Sequence, residues 1–130
     1  YLGPSGSGQL TKMVNQICIA GLLQGLSEAM NFSDKVGLNT NEVIEVISKG
    51  AAQSWQMENR WKTMIDDDYH HGFAVDLMRK DLDIVIGKAE KLNINLDVTK
   101  SVNEYYKDIQ KAGGGKWDTS SLYKRLKDII

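Results

Sequence analysis

The sequence has little of what holds a small secreted domain together. Its 130 residues include one cysteine, Cys18, and one proline, Pro4. A single cysteine cannot form an intrachain disulfide, so we expect a reducing, cytoplasmic setting and place Cys18 in the core rather than at a reactive site. The longest apolar stretch, 17–23, is well short of the roughly 20 residues that a membrane span needs. No membrane segment is therefore expected.

The sequence also lacks an excess of charge of one sign. It has 16 Lys and Arg against 17 Asp and Glu, a formal net charge of −1. Without a broad basic surface, non-specific binding to nucleic acid is excluded. The hydrophobic share of 42% and charged share of 25% are typical of one folded globular domain of this length. Because the chain opens with Tyr1 and not with methionine, we expect it to be part of a longer protein.

Alternation of apolar and polar residues with a period of two is nearly absent, so helices are expected to form the fold. We predict an all-α bundle of about six helices around a long central N-terminal helix. This first helix is predicted over 9–36 and ends at Gly37, which can adopt a left-handed backbone conformation. Its apolar residues fall on two stripes: Ile19, Leu23, Leu26 and Met30, and Leu10, Val14, Ile17 and Gly21. Gly21 and Gly25 predict a close approach by another helix.

Cap residues and apolar spacing predict the remaining helices. They are expected over 40–49 with Thr40 as the cap, from the cap Ser54 to 65, over 73–92, from the cap Asp97 to 112, and from Thr119 or Ser120 onwards. We expect Trp55, Trp61 and Trp117 to serve in packing. His70 and His71 follow three aspartates, but adjacent histidines lack the helical spacing of a zinc pair, so no metal site is expected.

The first residues are rich in glycine. Gly3, Gly6 and Gly8 allow the backbone to approach a ligand closely, and the free amides that begin the next helix attract a carboxylate or a phosphate. A flexible Gly-Ser linker is the alternative interpretation of this composition.

Lys12 is the most informative residue. It continues the helical stripe of Ile19, Leu23 and Met30, so we expect its ammonium group to point into a buried position or a cleft. Asn15 and Gln16, three and four residues later, add amide groups that could bind an oxygen-rich small molecule. The alternative is an ordinary surface lysine.

Three segments together resemble a known family. The pattern G-x-x-G-x-G-x-x-x-K-x-x-N-Q over 3–16 is similar to the motif that opens the C-terminal domain of β-hydroxyacid dehydrogenases, which include hydroxyisobutyrate dehydrogenase and tartronate semialdehyde reductase. The segments FAVDLMRKDL at 73–82 and WDTS at 117–120 are at family-like positions. The resemblance spans nearly the whole chain. It implies that residues 1–130 form a helical substrate and dimerisation domain, like the C-terminal domain of 6-phosphogluconate dehydrogenase, without the N-terminal dinucleotide-binding domain.

The resemblance also implies an activity, an NAD(P)-dependent interconversion of a short β-hydroxyacid and its semialdehyde or keto form. Lys12 matches the general acid/base; Asn15, Gln16 and Gly8 match substrate-binding positions; Lys80 matches a lysine that reaches the cofactor. NAD or NADP would be bound mainly by the missing domain, so this chain alone is expected to be inactive. A homo-oligomer, most simply a dimer, is expected.

Two alternatives remain open at this point. Lys80 lies four residues after Asp76 and three before Asp83, where helical ion pairs would explain it without a cofactor. Asp81 is expected to orient its helix or a neighbouring backbone rather than take part in chemistry. For the whole protein, the alternative to an enzyme is a non-enzymatic helical association module that kept the fold.

Overall fold

The computed structural model describes residue 1 and residues 3–130, and over these residues the predicted all-α fold is confirmed. The helices are α1 (Ser7–Lys35), α2 (Thr40–Ile47), α3 (Trp55–Ile65), α4 (Val75–Lys91) and α5 (Asp97–Lys111). The chain closes with a 3₁₀ turn (Thr119–Ser121), the short helix α6 (Leu122–Lys124) and a π-helical turn (Arg125–Ile129).

Helix α1 is the centre of the bundle, as its apolar pattern predicts. It contacts all five of the other helices. Its stripe of Leu23, Leu26 and Met30 is buried in the core, which is the main source of stability for a helix of this kind. Gly37 follows it with φ of 84°, the left-handed conformation expected of a glycine at a helix end.

The second apolar stripe of α1 does not reach the core. Leu10 is 48% exposed and Val14 is 60% exposed. Cys18 is also exposed, so its predicted place in the core is wrong. Leu10 and Val14 are exposed because the first turns of α1 extend past the body of the bundle, and the first buried residue of the helix is Gln16. Cys18 lies between the buried residues Gln16 and Ala20, on the side of α1 that faces away from the core. Periodicity identifies an apolar face, but not whether this chain covers it.

The two glycines of α1 do not mark the close helix contact that was predicted. A Cβ placed on Gly25 would have no described atom within 4 Å, and one on Gly21 would only touch Val98 at 3.7 Å, an ordinary contact distance. Among the described residues, no helix backbone therefore requires glycine at these positions.

The start of α3 matches the prediction at Ser54, whereas the caps of α2 and α5 shift by one residue. Ser54 accepts a hydrogen bond from the Met57 amide at 3.0 Å and caps α3 as predicted. For α2 the cap is Asn39, which accepts from the Glu42 amide at 3.2 Å, so the assignment to Thr40 is wrong. Asp97 is the first residue of α5 and not its cap. Asparagine is at least as good a cap as threonine, which explains the earlier start at α2.

Helix α4 begins at Val75, later than the predicted start at residue 73, because the preceding segment is held by another part of the chain. Residues 69–75 run alongside 115–119, with hydrogen bonds from the Asp118 amide to the Tyr69 carbonyl (2.8 Å) and from the Thr119 amide to the Phe73 carbonyl (2.9 Å). Ala74 and Asp118 form an isolated antiparallel bridge. The backbone here is extended and cannot join the helix.

Asp118 stabilises the junction at which residues 69–75 pair with residues 115–119. Its side chain is 2% exposed and accepts hydrogen bonds from the amides of Phe73 (2.8 Å) and Ser120 (3.0 Å) and from the Ser120 hydroxyl. Arg60 Nε lies 3.5 Å from its Oδ2. Gly72 has φ of 71°, and a Cβ there would overlap the Asp118 carboxylate. Position 72 therefore requires glycine, both for its backbone conformation and for space.

Two buried tyrosines predict that the stability of the domain falls at alkaline pH. Tyr106 donates a hydrogen bond to the Thr119 carbonyl at 3.1 Å, and burial raises the pKa of its hydroxyl well above the ordinary value. Burial, with the charge of Asp67 next in importance, also raises the pKa of Tyr69. The unfolded chain loses these protons above about pH 10, whereas the folded chain keeps them.

The contribution of these tyrosines to stability is therefore fully present below about pH 10 and is lost as the pH rises further. We expect the free energy of unfolding, measured by urea titration across this range, to fall at alkaline pH. In a Tyr106→Phe variant the fall should be shallower, because one of the groups no longer titrates. Equal slopes for the two proteins would contradict this account.

Candidate functional site

The predicted site residues of α1 meet α4 at one carboxylate. Gln16 donates from Nε2 to Asp81 Oδ2 at 2.9 Å, and Lys12 Nζ lies 3.7 Å from the same oxygen. Asn15 donates from Nδ2 to Gln16 Oε1 at 3.0 Å. The three polar residues of α1 are thus connected to one another through Asp81 and Gln16. Asp81, which was expected to orient a helix or a backbone, instead contacts these two side chains.

The structure does not bury Lys12. Its ammonium group was predicted to point into a buried position or a cleft; because the side chain is 65% exposed, the buried position is wrong. The stripe that Lys12 continues becomes buried only further along α1, where the other helices surround it. Around Lys12, α4 is the helix that supplies a contact, through Asp81.

Lys12 nevertheless lies at the edge of two clefts. The first cleft, of about 280 Å³, separates α1 from α4 and is lined by Gln9, Lys12, Met13, Gln16, Asp81, Ile84 and Val85. The second cleft, of about 440 Å³, includes Lys12, Asn15, Gln16 and Ile19 of α1, Trp55, Gln56 and Arg60 of α3, and Gly72, Phe73, Met78, Asp118 and Thr119. Lys12 and Gln16 line both, so they stand where the two clefts meet.

Helix α3 supplies the side of the second cleft that the sequence reasoning missed. Trp55 is 57% exposed and lies under the Arg60 guanidinium at 4.9 Å, so its predicted role in packing is wrong. Trp61 and Trp117 do pack against the core, as predicted. Gln56 and Arg60 are four residues apart and share one face of α3. That spacing was the one local signal that could have identified them.

Gly8 stands apart from the other predicted substrate-binding residues. It lies one turn before Lys12, is exposed, and lines neither cleft. The N-cap of α1 is Gly6, with φ of 91°, and it makes no side-chain hydrogen bond to the helix. The Ser7 amide donates to the Pro4 carbonyl at 3.1 Å, and the next two amides, those of Gly8 and Gln9, make no hydrogen bond to a described residue.

Lys80 is exposed on α4, beside the cluster at Asp81. The alternative explanation through ion pairs is not supported in the described part of the chain. Asp76 pairs with Lys116 at 3.8 Å, and Asp83 lies 3.9 Å from Arg79. Two large apolar side chains, Leu77 and Ile84, are also exposed next to Lys80 on this face of α4.

Within residues 1 and 3–130, no group of three or more His, Cys, Asp or Glu side chains is arranged to hold a metal ion. His71 contacts the backbone carbonyl of Asp68 at 3.1 Å through its ring. Over the same residues, no helix is both long and apolar enough to cross a membrane.

Comparison with known proteins identifies the family. Residues 6–126 match the family described as NAD-binding of NADP-dependent 3-hydroxyisobutyrate dehydrogenase. The chain belongs to the 3-hydroxyisobutyrate dehydrogenase family. The resemblance to β-hydroxyacid dehydrogenases stated from the motifs is therefore confirmed.

Relatives of this dehydrogenase family align along almost the whole chain. An uncharacterised oxidoreductase of Shewanella frigidimarina is 58% identical over 125 residues, which cover 96% of this chain and 43% of the relative. The 2-hydroxy-3-oxopropionate reductase of Escherichia coli is 32% identical, with the same two coverages. The crystal structure of 3-hydroxyisobutyrate dehydrogenase from Salmonella typhimurium superposes with a TM-score of 0.82 at 31% identity, covering 92% of this chain and 42% of that one. The chain thus spans less than half the length of these relatives.

Proposed function

We propose that this chain is the C-terminal helical domain of an NAD(P)-dependent oxidoreductase that interconverts a short β-hydroxyacid and its semialdehyde or keto form. A dinucleotide-binding domain would precede it in the whole protein. The observation that carries the proposal is the position of Lys12: its amine lies at the junction of two clefts, 3.7 Å from a carboxylate that also binds Gln16. Family membership supports the reaction class.

In this proposal Lys12 is the general acid/base. Its ammonium group gives a proton to the carbonyl oxygen when the semialdehyde or keto form is reduced, and the neutral amine takes the hydroxyl proton when the hydroxyacid is oxidised. Asp81 positions the amine by holding it near the cleft junction. The exposure of Lys12 in this chain is consistent with a site completed by another domain, whose approach would exclude water from the amine.

Asn15, Gln16 and Gly8 are proposed to bind the substrate. Gln16 uses its Nε2 on Asp81 and its Oε1 on Asn15, which fixes the orientation of both amides. This chain of hydrogen bonds orients the Asn15 amide, and its Oδ1 can accept a hydrogen bond from a substrate hydroxyl. Gly8 would take part through its backbone, because the amides at the start of α1 can donate hydrogen bonds to the substrate carboxylate.

Lys80 is proposed to contact the cofactor. An exposed cation between the exposed apolar side chains Leu77 and Ile84 fits a ligand that is both anionic and partly apolar, as NAD and NADP are. When bound, the nicotinamide ring supplies or accepts the hydride. This chain would supply only Lys80 to the cofactor, and most of the binding would come from the missing domain.

The proposal is tested by assaying the full-length protein with NAD and with NADP against a panel of short β-hydroxyacids, following the absorbance of the reduced nicotinamide. We expect oxidation of at least one of these acids, and no activity from the isolated chain. If no hydride transfer occurs with any of them in either direction, the result would favour the alternative, a helical association module that kept the fold.

We further propose that the whole protein is a cytoplasmic homo-oligomer. Val14 and Phe32 are large apolar residues exposed on α1, and Cys18 on the same helix is unpaired. Apolar surface of this kind favours association. Sedimentation equilibrium of the full-length protein should show a dimer or larger species, and a monomer at high concentration would contradict this part of the proposal.

A further inference from the structure

One side of α1 carries a continuous line of small and apolar residues that the other helices leave open. At about 100° per residue, seven residues between positions 14 and 36 fall within one sector of about 80°. We call this line the α1 stripe; its members are Val14, Cys18, Gly21, Gly25, Ala29, Phe32 and Val36. All of them are exposed except Gly21, which is half-buried. The stripe contains no charged residue, so it is a surface that another apolar surface can cover.

The two glycines of the stripe have no explanation within the described part of the chain. A Cβ on Gly25 would have no described atom within 4 Å, and one on Gly21 would only touch Val98 at 3.7 Å. Val98, on α5, is itself 64% exposed and extends the apolar surface to one side of the stripe. Glycine lowers the stability of a helix interior. Two of them on an open face therefore fit a helix of another molecule whose backbone comes close.

The spacing of the stripe is symmetric about Gly25. The intervals between successive members are 4, 3, 4, 4, 3 and 4 residues, so they are the same when counted from either end. If a second copy of α1 lies antiparallel with the two Gly25 residues opposite each other, members at equal distances from position 25 face one another. The facing pairs are Val14 with Val36, Cys18 with Phe32, and Gly21 with Ala29. The bulkier residues thus meet at the two ends, and the smallest residues meet in the middle.

This symmetry favours a second copy of the chain over any other occupant. A two-fold interface uses the same patch on both molecules and must therefore be complementary to itself. A different protein or domain would not require the two halves of the stripe to match. A parallel pair would not require it either, because each residue would then face its own counterpart. The stripe covers positions 14–36, about three heptads, which is the shortest length over which an apolar repeat indicates a helix pair.

We infer that two copies of this protein associate through antiparallel pairing of their α1 helices, centred on Gly25. The inference rests on the proposed function for the homo-oligomer and specifies its interface and direction. Pairing buries apolar side chains at both ends and leaves no charge of the stripe unpaired. It covers Cys18 with the partner's Phe32. The Lys12 amines of the two copies would lie about 39 Å apart along the helix axes, so each copy keeps its own site.

A charge at the centre of the stripe tests the interface. In the full-length protein, Gly25→Arg places two guanidinium groups against each other at the two-fold axis, where like charges and the loss of close approach oppose pairing. We expect the dissociation constant of the dimer, measured by sedimentation equilibrium, to rise at least about 100-fold. Because nothing in the described chain lies near a Cβ at this position, circular dichroism should show an unchanged fold.

The matched control is Gly87→Arg. Gly87 is a helical glycine of α4, and a Cβ there also has no described atom within 4 Å. This variant should dimerise as the wild type does. If Gly25→Arg also associates with the wild-type dissociation constant, the α1 stripe is not the interface and the inference is overturned.

Cross-linking tests the direction of the pair and does not depend on the Gly25→Arg variant. In Phe32→Cys, the new thiol should lie next to Cys18 of the other copy. A short bismaleimide should then give a covalent dimer whose linked peptides contain positions 18 and 32, as identified by mass spectrometry. The double variant Phe32→Cys with Cys18→Ser should lose this link. In the wild type, the two Cys18 residues of an antiparallel pair are about 21 Å apart, so a link between them would indicate a parallel pair and contradict the inference.

The results separate the inference from the proposed function. A wild-type protein that is monomeric at high concentration refutes the homo-oligomer and the inference together. A dimer that survives Gly25→Arg and gives no link between positions 18 and 32 refutes the inference alone, because it must form through another surface. Neither experiment measures hydride transfer, so an inactive enzyme would refute the proposed reaction without changing either result.

Discussion

Replacing Lys12 with alanine in the full-length protein is expected to lower kcat by about 100- to 10,000-fold, the range that a positioned general acid/base contributes. The residual reaction would rely on water to move the proton. Affinity for NAD or NADP should be unchanged, because the proposed cofactor contact of this chain is Lys80 on another helix. Stopped-flow or steady-state rates, with cofactor binding followed by fluorescence, would measure the two effects separately.

The matched control is Lys35→Ala. Lys35 is an exposed lysine in the last turn of the same helix, far along α1 from both clefts. It should leave kcat and cofactor affinity unchanged. A Lys12→Ala enzyme that turns over at the wild-type rate would remove Lys12 from the chemistry, and a loss of cofactor affinity equal to the loss of rate would assign it to binding instead.

The second large effect concerns stability. Asp118→Ala is expected to lower the free energy of unfolding by about 3 to 5 kcal/mol, as is usual when one partner of a buried charged network is removed. The change leaves the Phe73 and Ser120 amides without their acceptor and Arg60 without its counter-charge. The junction of 69–75 with 115–119 would then loosen.

Urea or thermal unfolding of the domain measures this effect. The Asp118→Asn variant should lose less of the free energy of unfolding, because its amide oxygen can still accept a hydrogen bond from the Phe73 backbone amide. Asp66→Ala is the matched control, since Asp66 is a half-exposed aspartate whose ion pair with Lys62 is on the surface; the expected change is within about 0.5 kcal/mol. Equal losses for Asp118→Ala and Asp66→Ala would show that the buried carboxylate does not hold the junction.

Local signals predicted the helices well. The apolar stripe of α1 and the glycine that follows it predicted its length to within a few residues, and the cap at Ser54 was correct. The one-residue error at Thr40 arose because Asn39 competes for the same role and is an equally good cap. These features depend on neighbouring residues, which a sequence displays directly.

The predictions that were wrong concern features that depend on contacts between distant parts of the chain. Asp81 binds Gln16 from 65 residues away, and nothing in the helical pattern of α4 identifies that partner. Lys12 and Cys18 share faces with apolar residues, but Lys12 precedes the part of α1 that the other helices cover, and Cys18 is on the side of α1 that faces away from the core, so both are exposed. The late start of α4 follows from backbone pairing with 115–119, which is invisible to periodicity.

The wall of the second cleft formed by α3 was missed for the same reason. Trp55 was interpreted as a packing residue because the sequence lacks a basic surface, whereas in the structure it stacks under Arg60, which also lies 3.5 Å from Asp118. The resemblance to a family assigned roles in the site to residues on α1 and α4 only. The charge and burial of Arg60 became informative once the structure brought it into the same cleft as Lys12.

The central claim, that the Lys12 amine moves the proton, is tested most directly by chemical rescue of the full-length Lys12→Ala enzyme. The side chain is 65% exposed and opens onto two clefts, so ammonia, methylamine and ethylamine can enter the space it vacates. The account predicts that kcat rises in proportion to the concentration of free amine, and that no such rise occurs in the wild type. A residual rate that none of the three amines changes would contradict it.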